Sequence, residues 1–154
     1  MKDCNNIHNL GEIDIVYKYA SSIENRPKIE SSRDAVEVFK QLYITEKLGI
    51  QEQFIVLFLN RASKVIGSCN LFMGGTTSTV VDTKIVVAMA LKLLATSIVI
   101  SHNHPSGNLK ASNEDMVATS KMKEALELFD MKLLDHIIVA PDLNYMSFSD
   151  DGIL

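Results

Sequence analysis

The sequence predicts an α/β protein, a mixed β-sheet flanked by helices. Three observations carry this. Phe54 to Leu59 (FIVLFL) is a continuous apolar run with β-branched and aromatic content, the pattern of a strand buried on both faces. Segments with apolar residues at helical spacing alternate with runs of this kind along the chain. Some neighbouring strands are separated only by hairpin-length turns, so the sheet must contain antiparallel as well as crossover connections.

Taken in order, residues 1–11 are polar and are expected to be loosely attached. Ile13, Ile15 and Tyr17 alternate with charged or small neighbours, which predicts an edge strand able to pair with another chain. A polar break follows, Ser21 to Glu30 with Pro27. Ser31 or Ser32 can cap a helix whose apolar positions are Ala35, Val36, Phe39, Leu42 and Tyr43. After the strand at Phe54–Leu59, a second at Lys64–Leu71 pairs with it across a turn at Asn60-Arg61.

Gly74-Gly75-Thr76-Thr77-Ser78 reads as a flexible loop, either bordering a substrate groove or simply exposed. Asp82 caps a helix running from Thr83 to about Leu94. A strand at Ile98–Ser101 leads through a His-rich loop into a helix from about Asn113 to Phe129. Lys132–Ala140 and Tyr145–Phe148 complete the set as strands. This organisation predicts an N-terminal extension over residues 1–30 and one domain over 31–154.

Composition narrows the function classes. At 154 residues the chain can bury roughly two-thirds of its unfolded surface in one core. The formal net charge is −4, the acidic excess lies in the second half, and no Lys/Arg cluster exists. The footprint of a strong nucleic-acid binder is therefore missing, and DNA contact is expected only weakly or through partners. Cys4 and Cys69 form no CxxC pair, which argues against a zinc ribbon, a redox dithiol or a disulfide framework and fits a reducing, cytoplasmic location. The N-terminus has no apolar signal region. The most apolar stretch, Ile85 to Ile100, is broken by Lys92, Thr96 and Ser97 and is too polar to span a membrane.

The chemistry concentrates in residues 102–115: His102-Asn103-His104-Pro105-Ser106-Gly107, then Ser112-Asn113-Glu114-Asp115. Two histidines at i and i+2 project from one side of an extended chain, so both imidazoles can reach one ion. Asp115 can return to that ion if the loop folds back. Two imidazoles, one carboxylate and an open fourth position suit catalytic zinc, and iron(II) would accept the same ligands. Each piece also has a bland reading. Ser112-x-x-Asp115 is a helix-start signature, His102 alone fits a hydrogen-bonded strand-end histidine, and Pro105-Ser106-Gly107 alone is a turn. Their conjunction favours the metal. Other zinc chemistries do not fit, since the chain has neither HExxH nor the HxE with PCxxC of a nucleobase deaminase.

His102-x-His104-Pro105 followed by Ser112-x-x-Asp115 resembles the JAMM motif of the JAB/MPN metalloprotease superfamily. The wider string looks like its RadC branch, through Gly74-Gly75-Thr76, His102 to Gly107, Ser112-x-x-Asp115, Leu134-Asp135-His136-Ile137-Ile138 and Ser147-Phe148. The similarity runs from about Ser32 to Leu154. The resemblance implies a cytidine-deaminase-like α/β fold and a zinc-dependent hydrolase of peptide or isopeptide bonds, with a peptide or protein as substrate. It implies His102, His104 and Asp115 as zinc ligands and Ser112 as a hydrogen-bond donor to the tetrahedral intermediate or the bound water. It also implies an upstream glutamate as proton shuttle. Glu52, just before the first core strand, stands where that residue should be, with Glu46 as fallback.

An alternative implied by the same resemblance is a DNA-repair accessory factor, acting as a nuclease or through a partner. RadC proteins often carry an N-terminal helix-hairpin-helix module, and 154 residues leave no room for one here. Around the motif, His136 lies next to Asp135 in an apolar strand; either the Asp-His pair supports groups around the metal, or His136 is a satisfied core histidine. Asn103 and Ser106 are expected to fix their own loop through side-chain-to-backbone bonds.

Overall fold

The computed structural model of the chain describes residues 25–73 and 81–154. The expected edge strand at Ile13–Tyr17, the polar start and the Gly74–Ser78 loop lie outside the described residues. The elements are helix α1 (Ser32–Leu42), strands β1 (Gln53–Leu59) and β2 (Val65–Met73), helix α2 (Thr83–Lys92), strand β3 (Ser97–Asn103), helix α3 (Asn113–Glu127), and strands β4 (Lys132–Val139) and β5 (Tyr145–Ser147). Among the described residues the strands form one five-stranded mixed sheet in the order β2-β1-β3-β4-β5. β1 is antiparallel to β2 and β3, β3 is parallel to β4, and β5 turns back antiparallel on β4. The mixed α/β class expected from the sequence is the class found.

Alternation along the central strands sorts side chains onto two faces. Phe54, Val56, Phe58, Ile98 and Ile100 pack with Val86, Ala90, Met122 and Leu126, so α2 and α3 cover one face. Ile55, Leu57, Leu59, Val99, Ile137 and Val139 pack with Val36, Phe39 and Tyr43, so α1 covers the other. β1 is buried along its whole length, which is why its sequence shows no polar alternation. Ile29 is buried in the α1-side core, and a bridge between Lys28 and Lys64 ties this stretch to the start of β2. Phe39 is fully buried between α1 and the sheet, and truncating it to Ala would cost about 3–5 kcal/mol.

Local chemistry sets the element ends. Ser31 and Asp82 accept hydrogen bonds from the first-turn amides of α1 and α2. α2 stops at Lys92, two residues short of the expected end, because Leu94 turns left-handed (φ 52°) and Ala95 N–H closes on Ala90 O. α3 ends the same way, at Glu127, beyond which Asp130 turns left-handed (φ 55°) and Met131 N–H closes on Leu126 O. One element was not anticipated, a 3-10 turn at Thr45–Lys47 between α1 and β1. Among the described residues no helix is long and apolar enough to cross a membrane.

Candidate metal centre

β3, α3 and β4 form a strand–helix–strand unit with parallel strands, and the site lies beyond the carboxyl end of β3, where such sheets open into crevices. The last β3 residues divide by face. His102 continues the row of Ile98 and Ile100 toward α3, while Ser101 and Asn103 point to the α1 side. His104 follows the strand end, and its N–H is held by Val139 O at 2.9 Å. Pro105 then enters a turn closed by Gly107 N–H on His104 O at 2.9 Å, and Gly107 takes φ 78°, which favours glycine. The turn returns the chain so that Asn108 O accepts from His104 Nδ1 at 2.6 Å. Ser106 Oγ accepts from Asn108 N–H and so braces this loop, as expected.

α3 begins with a capping box. Ser112 Oγ accepts from Asp115 N–H at 3.0 Å, and Asp115 Oδ2 accepts from Ser112 N–H at 2.8 Å. Ser112 Oγ–H also donates to Asp115 Oδ2 at 2.7 Å. These bonds fix Oδ2 and aim the carboxylate at the two histidines. His102 Nε2 lies 2.9 Å from His104 Nε2 and 3.1 Å from Asp115 Oδ1, and His104 Nε2 lies 3.5 Å from Asp115 Oδ2.

Three acceptor-type atoms so close together need a cation, whether proton or metal, among them. Burial alone would raise the Asp115 carboxyl, but the adjoining imidazoles of His102 and His104, with further help from Ser112, hold it far below the usual carboxylate range. The hydrogen bond to Asp115 raises His104 above the ordinary histidine value despite partial burial. Ligand atoms of a tetrahedral zinc lie about 3.3 Å apart for bonds of about 2.0–2.1 Å, so the observed separations fit that ion closely. His102, His104 and Asp115 thus form a group that can hold a metal ion.

Behind the group, His136 is almost wholly buried, stacked on Phe148 at a centroid distance of 4.7 Å. Its Nε2 lies 2.8 Å from His102 Nδ1, and its Nδ1 lies 2.6 Å from Thr119 Oγ1. Burial holds His136 well below the ordinary histidine value. The expected Asp135-His136 partnership does not occur between the side chains, because consecutive strand residues face opposite ways. Asp135 accepts from His136 backbone N–H, Ser147 Oγ–H and Ser149 N–H, a structural anchor for β5. Burial raises its carboxyl above the usual range despite these bonds.

On the opposite face Asn103 does not brace its own loop. Its Oδ1 accepts from Gln53 N–H at 2.7 Å, and its Nδ2 donates to Leu48 O at 2.8 Å and Gln51 O at 3.0 Å. Gln53 in turn spans to Ile44, accepting from its N–H and donating to its O. These bonds fix the segment 48–53, and with it Glu52. A cavity of about 980 Å³ opens over the group, lined among others by Glu52, His102, His104, Ser112, Glu114 and Asp115. Glu52 also raises His104 electrostatically, a minor effect beside that of Asp115. Glu46 sits exposed on the 3-10 turn, not on the cavity wall.

The structure thus brings together all five residues singled out in the sequence, His102, His104, Ser112, Asp115 and Glu52. Sequence reasoning missed Thr119 and Gln53. Thr119 lies four residues after Asp115, on the same helix face, and that spacing was the available signal. Gln53 is a polar residue opening an otherwise apolar buried strand.

A mixed sheet carrying HxH at a strand end, with Ser and Asp at the start of the next helix, defines a JAB-type domain. Residues 29–153 match the RadC-like JAB domain family, and the chain belongs to that family. A protein of Flavobacterium johnsoniae is 42% identical over 134 residues, covering 87% of this chain and 57% of the relative. Relatives from Porphyromonas gingivalis (34% over 133 residues; 85% and 58%) and Staphylococcus carnosus (35% over 136 residues; 87% and 58%) are similar to it in the same way. All three carry the name UPF0758 protein. The chain spans a little over half the length of these relatives.

Proposed function

We propose that the protein is a zinc-dependent hydrolase of peptide or isopeptide bonds. The observation that carries this reading is the convergence of His102, His104 and Asp115 on one point of a cavity that Glu52 also lines. Zinc held there would supply a Lewis acid that brings the pKa of a bound water toward about 7 and polarises the scissile carbonyl. His104 Nδ1 bonded to Asn108 O, and Asp115 Oδ2 bonded to Ser112, orient two of the three ligands before any metal arrives. The Glu52 carboxylate takes a proton from the attacking water and hands it to the leaving nitrogen as the C–N bond breaks.

Ser112 has a double assignment. Its hydroxyl proton points at Asp115 Oδ2, so its role as oxyanion donor requires the hydroxyl to turn from Asp115 toward substrate. The reading places the protein in a reducing compartment, the cytoplasm, supported by a sequence whose two cysteines form no CxxC pair. The alternative, a DNA-repair accessory factor, has the family resemblance as its only support, whereas hydrolysis has the site.

The test is cleavage of a mixed panel of unstructured and isopeptide-linked peptides by the zinc-loaded protein, read by mass spectrometry. Glu52→Gln should keep the metal and lose cleavage by at least about 100-fold. Equal rates in wild type and Glu52→Gln, or no cleavage of any panel member by wild type, would overturn the reading.

A further inference from the structure

We infer that Thr119 and His136 form a hydrogen-bond relay that sets the tautomer of His102, leaving its Nε2 lone pair free for the metal. The inference rests on the metal reading of His102, His104 and Asp115, and concerns residues which that reading leaves without a role. It starts from an atom that can only accept. Thr119 Oγ1 lies 2.6 Å from Asp115 O, the carbonyl four residues earlier in α3. A carbonyl carries no proton, so the single hydroxyl proton of Thr119 must point there.

The direction of every later bond follows. With its proton used, Thr119 Oγ1 faces His136 Nδ1 at 2.6 Å as an acceptor, so His136 carries its proton on Nδ1. His136 is 2% exposed, set between the rings of Phe148 and Phe54 and against a second imidazole. A charged imidazolium is unfavourable in such a place, and the neutral ring has one proton only. Its Nε2 is therefore bare and accepts from His102 Nδ1–H at 2.8 Å. His102 then presents an unprotonated Nε2, the atom that lies 2.9 Å from His104 Nε2.

The two histidines hold a proton on Nδ1 by different routes. His104 donates its Nδ1 proton directly to the backbone carbonyl of Asn108. His102 donates to a neutral imidazole, which must itself be held in one tautomer. The relay ends on the backbone carbonyl of Asp115, the third member of the group, so the helix that supplies the carboxylate also sets the histidine. Replacing Thr119 by Val removes the acceptor and leaves His136 Nδ1–H buried without a partner. The response of lowest cost is to move that proton to His136 Nε2. It would then face His102 Nδ1, and His102 would have to carry its own proton on Nε2, where the metal binds.

Nitrogen-15 NMR of the histidines in the metal-free full chain, near pH 9 where free histidine is neutral, reads the tautomers directly. The expected wild-type result is a proton on Nδ1 of both His102 and His136. A proton on Nε2 of His102 overturns the inference whether or not the protein ever binds zinc. In Thr119→Val, zinc affinity measured by chelator competition should fall about 10–100-fold, with His102 switched to the Nε2–H form, and Thr119→Ser should restore both. A purely structural Thr119 would lower the melting temperature of Thr119→Val and leave tautomer and affinity of the folded protein unchanged, which contradicts the relay. If Thr119→Val does not fold, the wild-type tautomers decide alone. If wild type shows the Nδ1–H pair and binds no zinc, the relay holds and the metal reading fails.

Discussion

The two faces of the sheet at the end of β3 are built from different chemistry. Toward α3 stand ionisable groups, His102, His136, His104 and Asp115, drawn to within hydrogen-bonding distance of one another. Toward α1 stand neutral groups, with Asn103 and Gln53 joined through backbone amides and carbonyls, and Tyr43 Oη 2.7 Å from Ser101 Oγ. Burial pushes the Tyr43 phenol far up, so these four side chains stay uncharged at any ordinary pH. The difference teaches how one strand serves two tasks. Period-two alternation sends His102 to the reacting side and Asn103 to the supporting side. The first needs groups that exchange protons and bind metal, and the second needs bonds that do not change with pH.

That division can be broken one face at a time. The largest effect should follow His102→Ala, which removes one ligand and the partner of His136. Zinc affinity should drop by two orders of magnitude or more, on the order of 3 kcal/mol, in a chelator-competition titration. The segment 48–53 should stay in place.

Asn103→Leu attacks the other face. It strands Gln53 N–H, Leu48 O and Gln51 O, each costing about 1–3 kcal/mol where no water replaces the bond. Urea unfolding should show a loss of several kcal/mol, and cleavage should fall about 100-fold as Glu52 loses its placement, while zinc affinity stays within threefold. Zinc lost along with activity would dissolve the distinction between the faces.

The dependence of stability on pH sharpens the contrast and is smaller. His136 is held neutral by burial, so the unfolded chain takes up a proton near pH 6.5 that the folded chain refuses. Stability of the metal-free protein should therefore fall as pH drops below about 6.5, by up to about 1.4 kcal/mol per unit for one proton. His104 works the opposite way. Its pKa is raised, chiefly by Asp115, so its contribution is complete below about 6.5 and is lost as pH climbs through the raised value. Equilibrium unfolding across pH 5–9 should thus peak between these windows, and His136→Gln should flatten the acid limb alone. Asn103, Gln53, Ser101 and Tyr43 on the other face predict no such slope. On stability alone the smallest effect belongs to Ser112→Ala, which costs the α3 cap about 1 kcal/mol and should be seen in the melting temperature.

What the sequence could reveal followed distance along the chain. Strands, helices and caps were legible because a period of two or of 3.6, or a Ser three residues before an Asp, is a local signal. The grouping of His102, His104 and Asp115 was legible for the same reason, since strand end, turn and helix start are contiguous. Glu52 was reachable only through a family resemblance, because nothing near it in sequence reports the cavity it lines. Asn103 was misread as a brace for its own loop, since its partners lie some 50 positions away across the sheet. Asp135 and His136 looked like a pair because they are adjacent, and a strand separates adjacent side chains. The Thr119 bond to His136 needs α3 laid across β4, which no window of sequence contains.

The central claim is that His102, His104 and Asp115 hold zinc. Metal analysis of wild type and His104→Ala, both purified without added metal, tests it most directly. About one zinc per wild-type chain, and far less in His104→Ala, is the result this account predicts; the same negligible zinc in both would contradict it.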